Sequence, residues 1–468
     1  MPDHPLRTLA LDAEACHTLH VATLEVLQRT GVDVRHEDAL ALLARAGAHV
    51  DGERVRMPAA LVEDALATAP RTVCLGSRGT HSGLLLTNDS VFYGTGSDCI
   101  YVLGPGARDR RPGALADVEE LAALQERLAN IDFVMSMVHP HELPADRAPV
   151  AQFAAMLRGT AKPLIMVPED AAHLELFAEM AEACGARDSW ALYAMPTPPL
   201  VHGHASADRL VKAAMLGVPT VYASALLQGA TAPASTAGIL VQCNAEMLSG
   251  LVITQLARPG APFVYGTAQG WMNPRSGLIV YCGPEEMAVQ QASADLARHY
   301  GLPSFGTGGC ADSLLLDEQW AAEAALTLLA AAHAGVSLLH DVGYVASGTA
   351  SSHESMILLD ELVAWVKAHL AGVTIDADAL AVDEIDAVGP GGTHLARRFS
   401  RSRIREFFRP RLLAQTSHEA WQESGGPSLL DRVADRAREL RAADRTYRLD
   451  PAAARELDRL VATADRRP

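Results

Sequence analysis

From Pro112 onward, short and nearly continuous apolar runs alternate with Ala-rich segments of helical spacing. The runs cover 131–138, 163–167, 190–195, 219–224, 262–266, 302–305 and 336–340, with helices between them such as 116–129, 236–257, 285–300 and 319–334. A strand buried on both faces has this unbroken apolar character. Seven such units in succession favour a closed parallel barrel over an open sheet, because each crossover returns in the same hand. The expected fold is an α/β TIM (β/α)8 barrel at 116–388, with its eighth strand left between 373–375 and 381–388.

The first 115 residues have a different rhythm. Asp12 caps a helical run ending near Gly31, and further helices are expected over 36–46 and 58–68. The pieces 48–50 and 54–56 flank Asp51-Gly52 and suit a hairpin. A second hairpin is expected over 90–103, ending in the turn Gly104-Pro105-Gly106. This N-terminal α+β section precedes the barrel, and a charged helical tail over 389–468 is expected to pack on its outside.

Charge and cysteine usage narrow the function. The formal net charge is −17, which disfavours nucleic acid as a partner. No run of apolar residues reaches membrane-spanning length, so no membrane is expected and the chain reads as cytoplasmic. The seven cysteines contain no CxxC pair, which excludes a zinc ribbon or a disulfide scaffold.

Polar residues gather where the expected strands end: His139-Pro140-His141, Ser224, Gly266 to Trp271, Gly306 to Gly309 and His340-Asp341. In a barrel these fall on the catalytic rim. The pairs His139/His141 and His202/His204 would suit a metal-dependent hydrolase, provided later strands supplied further ligands. Hydrogen-bonding histidines are the simpler reading, and no metal is assigned. GxSxG and GxGxxG are absent, and Lys162 starts a strand rather than ending one. Cys310 reads as a buried thiol. Covalent and dinucleotide chemistry thus lack their groups. Aromatics at the rim, namely Tyr93, Tyr101, Trp271, Phe305 and Tyr344, lie near Asp98, Asp312 and Asp341 in sequence. Aromatic faces and carboxylates are what a quaternary ammonium needs, since it has no N–H to donate.

Several stretches carry a resemblance: Thr30-Gly31-Val32, Gly229-Ala230-Thr231-Ala232-Pro233, Asn244-Ala245-Glu246, Pro259 to Pro262, Gly309 to Ser313 with Asp317 and Gln319, His340 to Gly348, and Gly389 to Gly392. In this order the chain resembles the trimethylamine methyltransferase family from about residue 23 to 426, and more closely its members without pyrrolysine, the glycine betaine methyltransferase-like branch. The chain departs from the family where Thr393-His394-Leu395 runs into an arginine-rich segment over 397–411.

The resemblance implies a barrel that removes a methyl group from a quaternary amine such as glycine betaine. It implies a Co(I) corrinoid, carried by a separate small protein, as acceptor, with no cofactor tightly bound to this chain. A homo-oligomer is compatible with it. Catalysis would then rest on positioning and electrostatics rather than on a catalytic residue. The expected substrate-binding set is Tyr93, Tyr101, Asp98, His202, Gln269, Trp271, Phe305, Asp312, His340 and Tyr344, with His340 or His202 holding a substrate carboxylate. The small residues Gly229, Ala230, Thr231, Ala232 and Pro233 are expected at the mouth as a docking surface, or else only as a tight turn. The basic segment 397–411 is the alternative docking face. A metal-dependent hydrolase and a non-catalytic betaine-binding protein are the rival readings.

Overall fold

The computed structural model describes residues 6–104 and 109–464. Its centre is a ring of parallel strands. Phe92–Tyr93, Leu338–His340, Ser304–Thr307, Phe263–Thr267, Thr220–Ser224, Trp190–Ala194 and Leu164–Met166 follow one another in a single sheet. The ring is closed by the run 131–138. Phe133 bridges Gly94, and Val134 bridges Leu164, both in parallel register. The result is an eight-stranded barrel of the expected class.

The eighth strand lies elsewhere than expected. It is Phe92–Tyr93, the first barrel strand in the chain, within the segment expected to precede the barrel. Val373 and Ile375 are instead exposed, and Val382–Val388 is a helix. Phe92–Tyr93 also does not pair with Tyr101–Leu103. That strand pairs with Arg110–Pro112 and with Ala350–Ser351. Of the turn expected there, Pro105 and Gly106 lie outside the described residues.

Alternation along each strand sorts the side chains. Phe133, Ile165, Ala191, Tyr193, Val221, Ala223, Val264, Phe305 and Leu338 form one inner cluster. It continues into Val73, Leu75, Leu84 and Leu86 from an antiparallel hairpin, which plugs one end of the lumen. Leu192, Tyr222, Phe263 and Tyr265 belong to the outer cluster against the helices.

The front section forms as its sequence indicates. Helices Ala13–Arg29, Glu37–Arg45 and Ala59–Thr68 surround the hairpin His49–Asp51/Arg54–Arg56. Val32–Val34 joins this hairpin to Val201–His202, so the small sheet reaches the barrel's flank. The helix Thr236–Ala257 is long and apolar enough to cross a membrane, but most of its residues are buried inside the protein. Ser235 caps it by accepting from the Gly238 amide. In the tail, the helices Leu429–Ala442 and Pro451–Ala464 are packed through Val433, Ala437, Leu457 and Leu460.

Candidate active site

Two small sheets stand on the rim at the C-terminal ends of the strands. One joins Leu227–Gln228, Gly270–Met272 and Ile279–Val280; the other joins Ala350–Ser351, Tyr101–Leu103 and Arg110–Pro112. Between them, the top layer of the lumen is aromatic. Phe305 and His340 rings lie 3.9 Å apart, and Tyr193 approaches Phe305 at 5.1 Å and His340 at 6.1 Å. Parity explains the grouping, since each of these side chains points inward from its own strand.

Asp341 follows directly on this layer. Its Oδ2 accepts from the Tyr281 hydroxyl at 2.6 Å and from Thr307 Oγ1 at 3.2 Å, and lies 3.3 Å from His340 Nε2. His340 Nδ1 donates to the Gly306 carbonyl at 2.8 Å. Asp341 has φ +70° and Asp98 has φ +60°, so two rim carboxylates occupy the left-handed region. Such conformations cluster at functional sites because surrounding contacts must enforce them. Gly96 is required by close approach: a Cβ there would run into the Tyr344 ring and Asp341 Oδ1. The Tyr344 hydroxyl donates to the Ser97 carbonyl.

The electrostatics are acidic. Glu286, from the first turn of the helix Pro284–His299, is buried. Burial holds its carboxyl well above the usual carboxylate range, and the charges of Asp341 and Asp312 push it the same way. Burial also raises Asp98, against hydrogen bonds from Gln152 at 2.8 Å and Ser136 at 3.3 Å. It pushes the His340 imidazole below its ordinary value, although Asp341 opposes this. Aromatic rings under buried carboxylates favour a cation and disfavour an anion.

The structure brings Phe305 and His340 together, while Tyr344 lies by Gly96 and Ser97, with Asp98 close enough to act on Tyr193 and Tyr344. Asp312 serves as a clamp. It accepts from the Tyr281 and Cys282 amides, each at 3.0 Å, and from Ser347 Oγ at 2.7 Å. It thereby fixes the backbone of Tyr281, which reaches Asp341. Trp271 lies in a rim sheet, with its Nε1 against Gly283. Both amide atoms of Gln269 are buried without a hydrogen-bond partner, and the side chain neighbours Cys243 of Thr236–Ala257.

Three expected residues lie away from the lumen. Tyr93 faces outward, because its neighbour Phe92 takes the inner side, and Lys367 Nζ sits 4.9 Å over its ring. Tyr101 is covered by the Arg110 guanidinium at 4.3 Å. His202 is buried on the barrel's outer flank, bonded to the Tyr222 hydroxyl at 2.7 Å and to Ser249 Oγ at 2.8 Å. Neither histidine expected to hold a carboxylate is placed to do so: both ring nitrogens of His202 are bonded, and His340 donates Nδ1 to Gly306 while its Nε2 faces the Asp341 carboxylate at 3.3 Å. Tyr281, Glu286 and Tyr193 line the candidate site and were not singled out from the sequence, whereas Thr307 falls in the expected rim stretch Gly306 to Gly309. Glu286, in a helix's first turn after Gly283-Pro284, carried the only local signal.

The His-x-His pairs do not converge. His139 and His141 pack edge to face at 5.5 Å, while His204 packs on His36, away from its pair-mate His202. Among the described residues, no three His, Cys, Asp or Glu side chains are grouped to hold a metal. Cys310 is buried, with its sulfur 3.5 Å from that of Cys282. That contact and burial raise its thiol well above the ordinary value, which leaves it un-ionised and a poor nucleophile. A cavity of about 1300 Å3 opens at the opposite end of the barrel, beside Leu75, Leu84, Trp190, Pro219 and Pro262. Trp190, Pro219 and Pro262 begin or precede barrel strands, so this cavity is remote from the rim.

On the mouth, the loop after Thr220–Ser224 is tightly hydrogen-bonded. The Leu227 carbonyl accepts from the Ala230, Thr231 and Ala232 amides, and Gly229 donates to the Ala232 carbonyl. Gly229, Ala230 and Pro233 are exposed. Ala232 is buried and cannot itself touch a partner, since its side chain fills the underside of the turn.

Comparison with known proteins places the chain in a family. A family model described as trimethylamine methyltransferase (MTTB) matches residues 3–467. The chain is 30% identical over 425 residues to a glycine betaine methyltransferase of Desulfitobacterium hafniense (strain Y51), covering 88% of each chain. It is 28% identical over 434 residues to trimethylamine methyltransferase MttB of Desulfitobacterium hafniense (strain DSM 10664 / DCB-2), covering 91% of this chain and 87% of the relative. Among solved structures, the hydroxylamine complex of MtmB shares the fold. Its TM-score is 0.51 at 12% identity, with 96% of this chain and 88% of that one covered.

Proposed function

We propose, from the premise that this chain belongs to the trimethylamine methyltransferase family and is a methyltransferase, that it demethylates a quaternary amine in favour of a corrinoid protein. The observation that carries this reading is the aromatic layer of Tyr193, Phe305 and His340 beneath Asp341 and Glu286. A tetraalkylammonium binds through ring faces and carboxylates alone.

The chemistry that a Co(I) corrinoid supplies is two-electron displacement: a carbon–cobalt bond forms while the carbon–nitrogen bond breaks, and its electron pair stays on a neutral tertiary amine. This chain then needs no general acid and no nucleophile of its own, which fits a rim whose thiols, Cys99, Cys282 and Cys310, are all raised above the ordinary value. Its residues hold the cation, aim one methyl outward and exclude water. Tyr281 and Thr307 fix the Asp341 carboxylate so that the cation meets a preorganised charge. The acceptor approaches from the mouth, where the exposed loop residues are small. A glycine betaine-type substrate would place its ammonium on the aromatic layer and its carboxylate toward the solvent side, away from Asp341 and Glu286.

The test is methyl transfer from a panel of amines to free cob(I)alamin, followed by its absorbance. Turnover of a quaternary amine is expected. Turnover of trimethylamine with none of any quaternary amine would refute the proposal.

A further inference from the structure

Two thiols stand together at the edge of the rim, and methyl transfer uses neither. All seven cysteines are free, and among the described residues only Cys282 and Cys310 bring their sulfurs within hydrogen-bonding distance, at 3.5 Å. Cys310 is buried just after the strand Ser304–Thr307. Cys282 is half-buried, in the short connection between the edge strand Ile279–Val280 and the helix Pro284–His299. A disulfide has an S–S length of about 2.05 Å, so the two sulfurs need to approach by about 1.5 Å.

The two sides differ in freedom. The Cys310 side is held by the helix Glu318–Ala334, where Thr327 Oγ1 accepts from the Gly309 amide at 3.1 Å and Glu323 from the Asp312 amide at 2.8 Å. Cys282 is tied through its own amide to Asp312 at 3.0 Å. Closure of the pair therefore draws the connection toward Cys310. Tyr281 precedes Cys282, and its hydroxyl reaches Asp341 at 2.6 Å. A displacement of that size exceeds what a hydrogen bond tolerates.

The contact between the sulfurs is unequal. It raises the Cys310 thiol and lowers that of Cys282. Burial and the charges of Asp312, Glu286 and Glu323 outweigh this and still hold Cys282 above its ordinary value. Cys282 is thus both the more exposed and the more readily ionised of the two, and meets an oxidant first. The same carboxylates repel an anionic oxidant such as glutathione disulfide. A peroxide is small and neutral, and reaches a half-buried thiol without that penalty.

We propose that Cys282 and Cys310 are a redox pair, closed to a disulfide by a peroxide and reopened by a dithiol. First, the Cys282 sulfur attacks one peroxide oxygen. The S–O bond forms, the O–O bond breaks, and the leaving hydroxide takes the thiol proton as water. The Cys310 sulfur then attacks that of Cys282. The S–S bond forms, the S–O bond breaks, and the second oxygen leaves as water with the Cys310 proton. Two thiols lose two electrons, and one peroxide becomes two waters. With Tyr281 drawn off Asp341, the closed form holds a cation more weakly. That effect rests on the proposed amine substrate; the pairing does not.

The test uses the full chain with Cys74→Ser, because Cys74 is exposed at the far end of the barrel. Hydrogen peroxide is expected to lower the thiol count of the denatured protein from six to four, with Cys282 and Cys310 peptides joined in the mass spectrum, and dithiothreitol to restore it. Closure should be faster at alkaline pH, since the thiolate attacks. Affinity for glycine betaine should fall at least about tenfold on closure, the size of a lost hydrogen bond to a charged group. Peroxide should leave that affinity unchanged in Cys282→Ala, which keeps the amide that Asp312 holds. In Cys310→Ala, dimedone should trap Cys282 as a sulfenic acid. A count that stays at six, or falls without the joined peptides, would overturn the proposal. So would a closed form that binds glycine betaine as the open form does. Reduced protein that binds no quaternary amine would instead sink the proposed substrate, and the thiol count would still decide the pair.

Discussion

The Tyr281 hydroxyl donates to Asp341 Oδ2 at 2.6 Å, which couples the rim sheet to the end of the strand Leu338–His340. Tyr281 is itself set by Asp312 through its backbone amide. Tyr281→Phe removes one donor from a buried carboxylate. A hydrogen bond to a charged group contributes about 1.5–3 kcal/mol. A fall in kcat/KM of about 10–100-fold is expected, with a lowered thermal midpoint, because the same bond is lost from the resting fold. Steady-state methyl transfer and a melting curve check both halves.

Glu286 offers a pH signature. Its carboxyl is held high by burial and by Asp341 and Asp312, and a bound cation favours its ionised form. Amine affinity should therefore rise with pH through its titration, and Glu286→Gln should flatten the rise. The reaction discharges the cation, so this attraction acts on bound substrate more than on the transition state. Glu286→Gln is expected to raise KM about tenfold or more, on the order of a buried charged partner, and to leave kcat equal or higher. Stability changes with the opposite sign. A carboxyl raised on folding contributes stability below its unfolded value and loses it as pH rises through the folded value. The glutamine variant should thus melt higher than wild type at neutral pH. Calorimetric titration at pH values from the ordinary carboxylate range upward and melting curves test these outcomes.

Much of this arrangement was legible in the sequence, and the losses have physical causes. Ser235 and the apolar run behind it mark the helix Thr236–Ala257, and the alternation after Pro112 marks the barrel. The first strand was missed because Phe92–Tyr93 is two residues long, too short for any period to show. Tyr93 was misassigned by one step of parity, since Phe92 points in and Tyr93 out. Phe305 and His340 stand out in the sequence because apolar runs end at them, although in the fold the strand of Phe305 continues to Thr307. Tyr281 and Glu286 come from the segment after the rim sheet and reach the site only through tertiary folding. His202 ends a strand too, but a strand of the front sheet.

His202 carries an acid-side prediction. Burial pushes its imidazole from 6.5 down to about 4. A base lowered on folding contributes stability above its unfolded value and loses it as pH falls through the folded one. The loss between pH 6.5 and 4 is about 3 kcal/mol for such a shift. His353, also lowered to about 4 by burial, acts with the same sign. His202→Gln should remove roughly half of the combined slope. Urea unfolding at pH 7 and at pH 4.5 measures it. An unchanged slope would mean that His202 gains a proton in place, without disturbing Tyr222 or Ser249.

The loop at the mouth gives the last expectation, and its geometry selects the variants. Ala232 lies under the turn, so a large residue there would disrupt packing and confound the result. Ala230 and Ala234 are exposed on the same loop, whose shape is held by the Leu227 carbonyl and by Gln228 bonding the Ala234 carbonyl at 2.8 Å. Ala230→Trp and Ala234→Trp therefore add bulk at the mouth without touching the core. If a corrinoid protein docks on this loop, both variants should fold and bind amine as wild type does. Transfer to the protein-bound corrinoid should fall at least about tenfold, because loss of interface fit costs about 1–3 kcal/mol. Transfer to free cob(I)alamin, which needs no docking surface, should change little. That ratio separates docking from a blocked lumen, which would depress both acceptors equally. Unchanged transfer to both would leave the loop as the scaffold that turns Thr220–Ser224 into its helix. The docking face would then be the opposite rim sheet, where Arg110 stacks on Tyr101.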